Sequence, residues 1–235
     1  MKTDKNGGEK FLMKSLVAVN AKIKAMKPKL LTVNDYKKIF SSKEIPHLKS
    51  LEEDTLRILH YIHDRPLKMF MYSYAMGLKI RSKEHYMNLW QNVMDKQKSM
   101  KPIIGTEIDL QNILWIYRLK KFYGIYGEVT FGYLTPINYR LSNECLKHMV
   151  ACKDVNSFLK ELEKSQYNKV FDDFKNGELK IISKIKYEYS NKQEAIPLTC
   201  GYLFNKYIET KNLITIKQGL ELQLNEEMIF SKLIY

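Results

Sequence analysis

The chain has 235 residues, 45% of them hydrophobic and 28% charged, which supplies a core for one domain or two small ones and excludes a disordered chain. Its three cysteines, Cys145, Cys152 and Cys200, are too few and too unevenly spaced for a disulfide framework and point to a reducing setting. The formal charge of +13 is concentrated early, with twelve lysines against Asp4, Glu9, Asp35 and Glu44 in residues 1–50, so a solvated lysine-rich surface or an acidic partner is expected there.

Residues 1–10 read as a flexible basic tail. The lysine-rich start lacks an uninterrupted apolar stretch, which argues against a signal peptide, and no uncharged run approaches the ~18 residues of a membrane span. Phe11 to Met26 predicts a helix ended by Pro28, and Thr32 caps a short helix from Val33 to Phe40. Leu48, Leu51, Leu56, Leu59 and Ile62 give one apolar face to a helix that stops before Pro66; a long helical pattern then runs from Leu67 to Gln97, with a break near Gly77. After Pro102 and Gly105, the stretch Glu107 to Gly124 predicts a helix whose residues from Ile113 to Leu119 are apolar or aromatic on every side, with Arg118 the only charge, and which is therefore buried among others. Thr106 and Asp109 have the form of its capping box, and Gly124 is its stop behind Lys120 and Lys121, whose cations suit the negative end of the dipole. Gly124 to Tyr139 reads as a structured loop. Ser142 caps Asn143 to Ala151, Asp154 caps Val155 to Glu163, and a pattern around Tyr167, Val170, Phe171 and Phe174 runs to Gly177. Helices at Glu178 to Tyr189 and Pro197 to Leu222 follow, and Asn225 caps a last one to Tyr235. The expected class is all-α: a single domain over 11–235 made of helical units at about 11–101, 102–196 and 197–235.

The units are suggested by an internal repeat. Asp109, Asn112, Ile113 and Ile116 match Glu209, Asn212, Leu213 and Ile216 at a constant offset of one hundred. Acid and asparagine three residues apart share a helix face, where they can bond to each other or to a neighbouring unit. An asparagine inside a helix costs roughly 0.7 kcal/mol relative to alanine, so its recurrence in register implies a compensating bond. Downstream, Leu141-Ser142 pairs with Leu224-Asn225, and a partial third copy is read in Leu31-Thr32, as far from Ile23 as Leu224 is from Ile216.

Three stretches resemble a component of bacterial and archaeal V-type ATPases known as the C subunit, whose eukaryotic equivalent is the d subunit. They are Ala21 to Tyr36, the helix carrying Asp109, Asn112, Ile113 and Arg118, and the C-terminal run with Lys206, Glu209 and Asn212 at spacings of three. The resemblance implies a funnel-shaped fold of helical repeats. This chain has fewer units than usual, because only one internal copy of the Asn-Ile-arginine helix is present. It also implies a connector without catalytic residues, cofactor or small-molecule substrate: cytoplasmic, peripheral to the membrane, seated on the membrane rotor ring and receiving the central stalk. The repeat residues Asp109, Asn112, Arg118, Lys206, Glu209 and Asn212 would then be structural. The basic residues offered to a partner are Lys22, Lys24, Lys27, Lys29, Lys120 and Lys121. A helical-repeat adaptor for an acidic partner such as RNA is the alternative.

Other chemistry is weaker. His60, His63 and Asp64 lack a metalloprotease pattern. Cys145, His148 and Cys152 share a helix face but would need a distant fourth ligand, and they read as interface packing, with no metal expected. No Gly-rich phosphate loop occurs. Trp115, Tyr117, Phe122, Tyr123 and Tyr126 surround their helix and read as core rather than as a stacking platform for single-stranded nucleic acid.

Overall fold

The computed structural model describes residues 17–25, 30–46, 50–75, 82–168, 170 and 194–234. The expected basic tail, the expected helix at Glu178 to Tyr189, Phe171, Phe174, Lys27 and Lys29 lie outside them. Every regular element among the described residues is helical, so the chain is all-α. It forms two compact units, one of Met1–Lys79 with Lys186–Tyr235 and the other of Ile80–Ile185. The first unit therefore combines the two ends of the chain.

That unit contains helix α1 (17–25), α2 (Val33–Ser42), α3 (Ser50–Leu59), α4 (Arg65–Ala75), α9 (Ala195–Glu221) and α10 (Glu226–Phe230). α2 begins in a reciprocal capping box: the Thr32 side chain accepts the N–H of Asp35, and the Asp35 carboxylate accepts the N–H of Thr32 at 2.9 Å. It extends two residues beyond Phe40 and closes on Lys43 at φ 59°. α3 stops at Leu59, before the expected Ile62, and Pro66 sits in the first turn of α4, where a missing N–H costs nothing. α9 packs against α2, α3, α4 and α10. Tyr36 and Ile39 of α2 meet Leu213 and Ile216 of α9 and Ile229 and Leu233 from the chain's end in one apolar cluster. Asn225 caps α10 by accepting the N–H of Met228 at 2.8 Å, but the helix stops at Phe230, short of the expected Tyr235.

The second unit contains α5 (Lys83–Lys96), α6 (Lys101–Arg118), a π-helical turn (Leu119–Tyr123), a 3-10 segment (Gly127–Tyr133), α7 (Asn143–Ala151) and α8 (Val155–Glu163). The long pattern at 67–97 is thus two helices, α4 and α5, and Ser82 caps the second by accepting the N–H of His85. Ser142 and Asp154 cap α7 and α8 as expected.

The buried helix begins earlier than its capping signature indicates. α6 starts at Lys101 with Pro102 in its first turn, so Thr106 and Asp109 lie inside it and form no cap. From Ile103 to Leu114 every residue is buried, the polar Thr106, Glu107, Asp109, Gln111 and Asn112 included, so the burial starts well before the apolar run at Ile113. Gly105, expected as punctuation, is an interior helix residue because the Tyr139 ring occupies the space a Cβ would need. Gly124 ends the run at φ 62°, the left-handed cap that glycine accepts without strain.

Replacing Gly105 with alanine should destabilise the protein by about 1–3 kcal/mol, the usual cost of overpacking, despite alanine's better helix propensity. Gly132→Ala, where a Cβ meets nothing within 4 Å, is the control and should change little. Chemical denaturation of the two variants checks this; equal stability would contradict the close approach at Gly105.

Candidate functional site

The repeated asparagines perform the same task in both units. Asn112 donates from its amide nitrogen to the carbonyl of Thr135 at 3.0 Å, and its amide oxygen accepts the N–H of Thr135 at 2.9 Å. Asn212 donates to the carbonyl of Ile234 at 2.8 Å and accepts the N–H of Ile234 at 3.0 Å. Each side chain thus satisfies both polar groups of one buried backbone residue, as a neighbouring strand would. Asn112 and Asn212 are each 1% exposed. These are the bonds that offset the helix cost of an interior asparagine.

The acids one turn earlier hold the chain just before a capped helix. Asp109, fully buried, accepts the backbone N–H groups of Tyr139, Arg140 and Leu141 at 3.1, 2.7 and 3.0 Å, and the hydroxyl of Tyr167 at 2.8 Å. Burial pushes its carboxyl above the ordinary value, and these four bonds pull in the opposite direction by favouring the ionised form. Burial also raises the Tyr167 hydroxyl, helped by the carboxylate it faces. Glu209 accepts the N–H of Leu31 at 2.7 Å on one oxygen and the ammonium of Lys206 at 2.5 Å on the other. Leu141 and Leu31 each directly precede the capping residue of the following helix, Ser142 for α7 and Thr32 for α2.

This geometry corrects the register of the repeat. The counterpart of Leu141-Ser142 is Leu31-Thr32, not Leu224-Asn225, because Glu209 reaches the start of the chain to find its backbone donor. Leu224 and Asn225 instead lead into α10, just as Tyr126 leads into the 3-10 segment before Thr135. Acid and asparagine bond to connecting backbone within their own unit and not to each other.

The predicted basic residues divide. Lys24 is exposed and Lys22 half-buried on α1, and Arg118 is half-buried at the end of α6. Lys120 is 2% exposed, and its ammonium donates to the carbonyls of Val150 at 2.9 Å and Cys152 at 2.5 Å. It therefore serves the C-terminal end of α7 rather than that of its own helix, and it is not offered to a partner. Lys120 follows the fully buried Ile116 by four residues and Ile113 by seven, so it continues their inward face of the helix. Burial lowers the pKa of Lys120, against the pull of Cys152 and Asp154. Lys121 donates to the Tyr117 hydroxyl at 2.6 Å and lies over the rings of Tyr117 and Phe122.

The aromatic cluster is also divided. Tyr117 is buried and packs against Phe158, but Phe122 and Tyr123 are two-thirds exposed and Tyr126 is exposed as well, contrary to the expectation of a core. They lie beyond the last α-helical turn, where the apolar pattern of α6 no longer describes which side faces inward. Cys145, Cys152 and Cys200 form no disulfide, and no group of three metal-binding side chains occurs among the described residues. Sequence reasoning missed Tyr167 and Thr135; nothing in linear spacing marks either as a partner of α6.

Two units, each clipping its connecting backbone to a buried helix through an acid and an asparagine, define an all-α helical-repeat protein. The family model described as ATP synthase (C/AC39) subunit matches residues 81–231, which contain both copies of the motif. The chain belongs to this C/AC39 family of V-type ATP synthase accessory subunits. No curated protein and no solved structure matches the chain. No helix among the described residues is long and apolar enough to cross a membrane.

Asn112→Leu should cost about 1–3 kcal/mol, since it leaves the buried N–H of Thr135 without a partner and its C=O with the N–H of Ile137 alone; Asn212→Leu should cost about 2–4 kcal/mol, through both polar groups of Ile234. Lys120→Ala should cost about 2 kcal/mol by orphaning the end of α7. Urea unfolding measures all three, and a variant as stable as the parent would show that its side chain holds no backbone in place.

Proposed function

We propose that the protein is a non-catalytic connector of a rotary V-type ATPase, coupling the central stalk to the membrane rotor ring during ion transport. The observation that carries this reading is the family match over residues 81–231, together with the use of the motif in both units for purely structural bonding. A connector has to transmit torque, and side chains that lock both polar groups of a loop residue make each unit stiff where a helix alone would let the loop swing. Its partners are the stalk and rotor subunits. It is cytoplasmic, held at the membrane through the complex, and needs neither cofactor nor small substrate. In this reading two helical units take the place of the three in the family's funnel, and exposed basic residues such as Lys24 face the partners.

Co-expression of the chain with the stalk and rotor subunits of the V-type ATPase from the same source should yield a complex that co-purifies through size exclusion. Failure to associate with either set, with all components folded, would overturn the connector reading; salt-sensitive RNA binding in the same preparation would favour the adaptor alternative.

A further inference from the structure

The second unit carries one residue more than the first at the end of its buried helix. The offset of one hundred that relates α6 to α9 holds as far as Leu119 and Gly219 and becomes ninety-nine beyond them, where Gly124 at φ 62° matches Gln223 at φ 54° and Thr135 matches Ile234. The extra residue falls in the π-helical turn Leu119–Tyr123, the kind of insertion that frequently marks a functional site. It gives the second unit two exposed rings, Phe122 and Tyr123, where the first has Leu222 alone.

After the turn, the inward positions of the two units agree and the outward ones do not. Thr130 and Leu134 are as buried as their counterparts Ile229 and Leu233. The exposed Tyr126, Val129, Phe131 and Tyr133 stand against Asn225, Met228, Phe230 and Lys232. Of these counterparts only Phe230 is half-buried, and the others are exposed, in a unit where α3 and α4 both pack on the equivalent helix. The fold therefore turns these positions to solvent in both units, and only the second fills them with rings. Its face continues onto the outer side of α6, where Trp115 packs against Tyr133 at 6.2 Å and Lys121 lies over Phe122. Exposed aromatics on this scale have the composition of an interface core.

The charge beside the rings is positive. Arg118 lies on the outer side of α6 between Trp115 and Phe122, Lys121 follows, and the Lys83 ammonium reaches the Gly132 carbonyl at 3.4 Å. Glu128 is the one acid in residues 113–140. A few cations around many rings suit a protein rather than a phosphate-bearing surface, because nucleic acids and anionic membranes draw their affinity from many lysines and arginines at once.

We propose that the face from Phe122 to Tyr133 is a docking surface for an acidic segment of a partner protein, whose apolar side chains pack on the rings and whose carboxylates meet Lys83, Arg118 and Lys121. The inference does not rest on the connector reading, since the face is defined by the difference between the two units.

The test pans a phage-displayed library of random peptides on the full chain and discards every peptide that also binds the triple variant Phe122→Ser, Tyr123→Ser, Val129→Ser. The surviving peptides should combine aspartate or glutamate with large apolar residues. By calorimetry they should bind the parent about tenfold or more tightly than the triple variant. Leu222→Ser with Met228→Ser, at the matching place in the first unit, should leave their affinity unchanged. All five substituted side chains are exposed, so the unfolding midpoints of both variants should match the parent, which separates a lost surface from a lost fold. No surviving peptide, survivors without acidic residues, or an equal loss in the first-unit variant would overturn the proposal. So would binding of phosphatidylserine-rich vesicles or oligouridine by the parent and not by the triple variant, with no peptide selected, or a structure with the chain's own residues 171–193 laid across the rings.

Discussion

Each unit depends on a side-chain amide that replaces a missing piece of secondary structure. A loop crossing a buried helix brings N–H and C=O groups into a place without water, where each unpaired group costs about as much as a lost hydrogen bond. An asparagine with one donor and one acceptor on the same side can satisfy both groups of a single residue. The adjacent acid does the complementary task for the N–H groups that precede the next helix. Once these are fixed, the loop, the cap and the entry angle of the following helix are fixed with them. This explains why Asp109 and Asn112 lie in the buried part of α6.

The first unit solves the same problem with a broken chain. Its buried helix is the long α9, but the backbone that α9 must hold belongs to both ends of the sequence, and Glu209 and Asn212 join Leu31 to Ile234 through side chains where the second unit has a continuous peptide. The closure of this unit is therefore non-covalent. The core follows the same arrangement, with Tyr36 and Ile39 of α2 packed between Leu213 and Ile216 of α9 and the residues leading to the C-terminal segment.

Much of the helical content was legible from local chemistry. Thr32, Ser142, Asp154 and Asn225 mark helix starts because a short polar side chain before an apolar run has one dominant use. The constant offset between Asp109-Asn112 and Glu209-Asn212 was legible as well, because it is a property of the linear chain. What those residues bind was not. The capping signature at Thr106 and Asp109 is satisfied on paper, yet Pro102 starts the helix earlier and releases Asp109 for donors thirty residues away. The pairing of Leu31 with Leu141 was hidden because closure across chain ends has no sequence spacing. Lys120 was misplaced because a charge reads as exposed even where it continues the buried face of Ile113 and Ile116, and Phe122 and Tyr123 because the apolar run continues beyond the last α-helical turn.

The two clamps have four equivalent backbone amides, two in each unit, held by side chains rather than by secondary structure. Native-state hydrogen exchange followed by NMR addresses them individually. The N–H groups of Thr135, Leu141, Ile234 and Leu31 should be as protected as the central amides of α6 and α9, and open only when their unit unfolds. Exchange at these four sites as fast as in an exposed loop would contradict the clamp in the unit concerned.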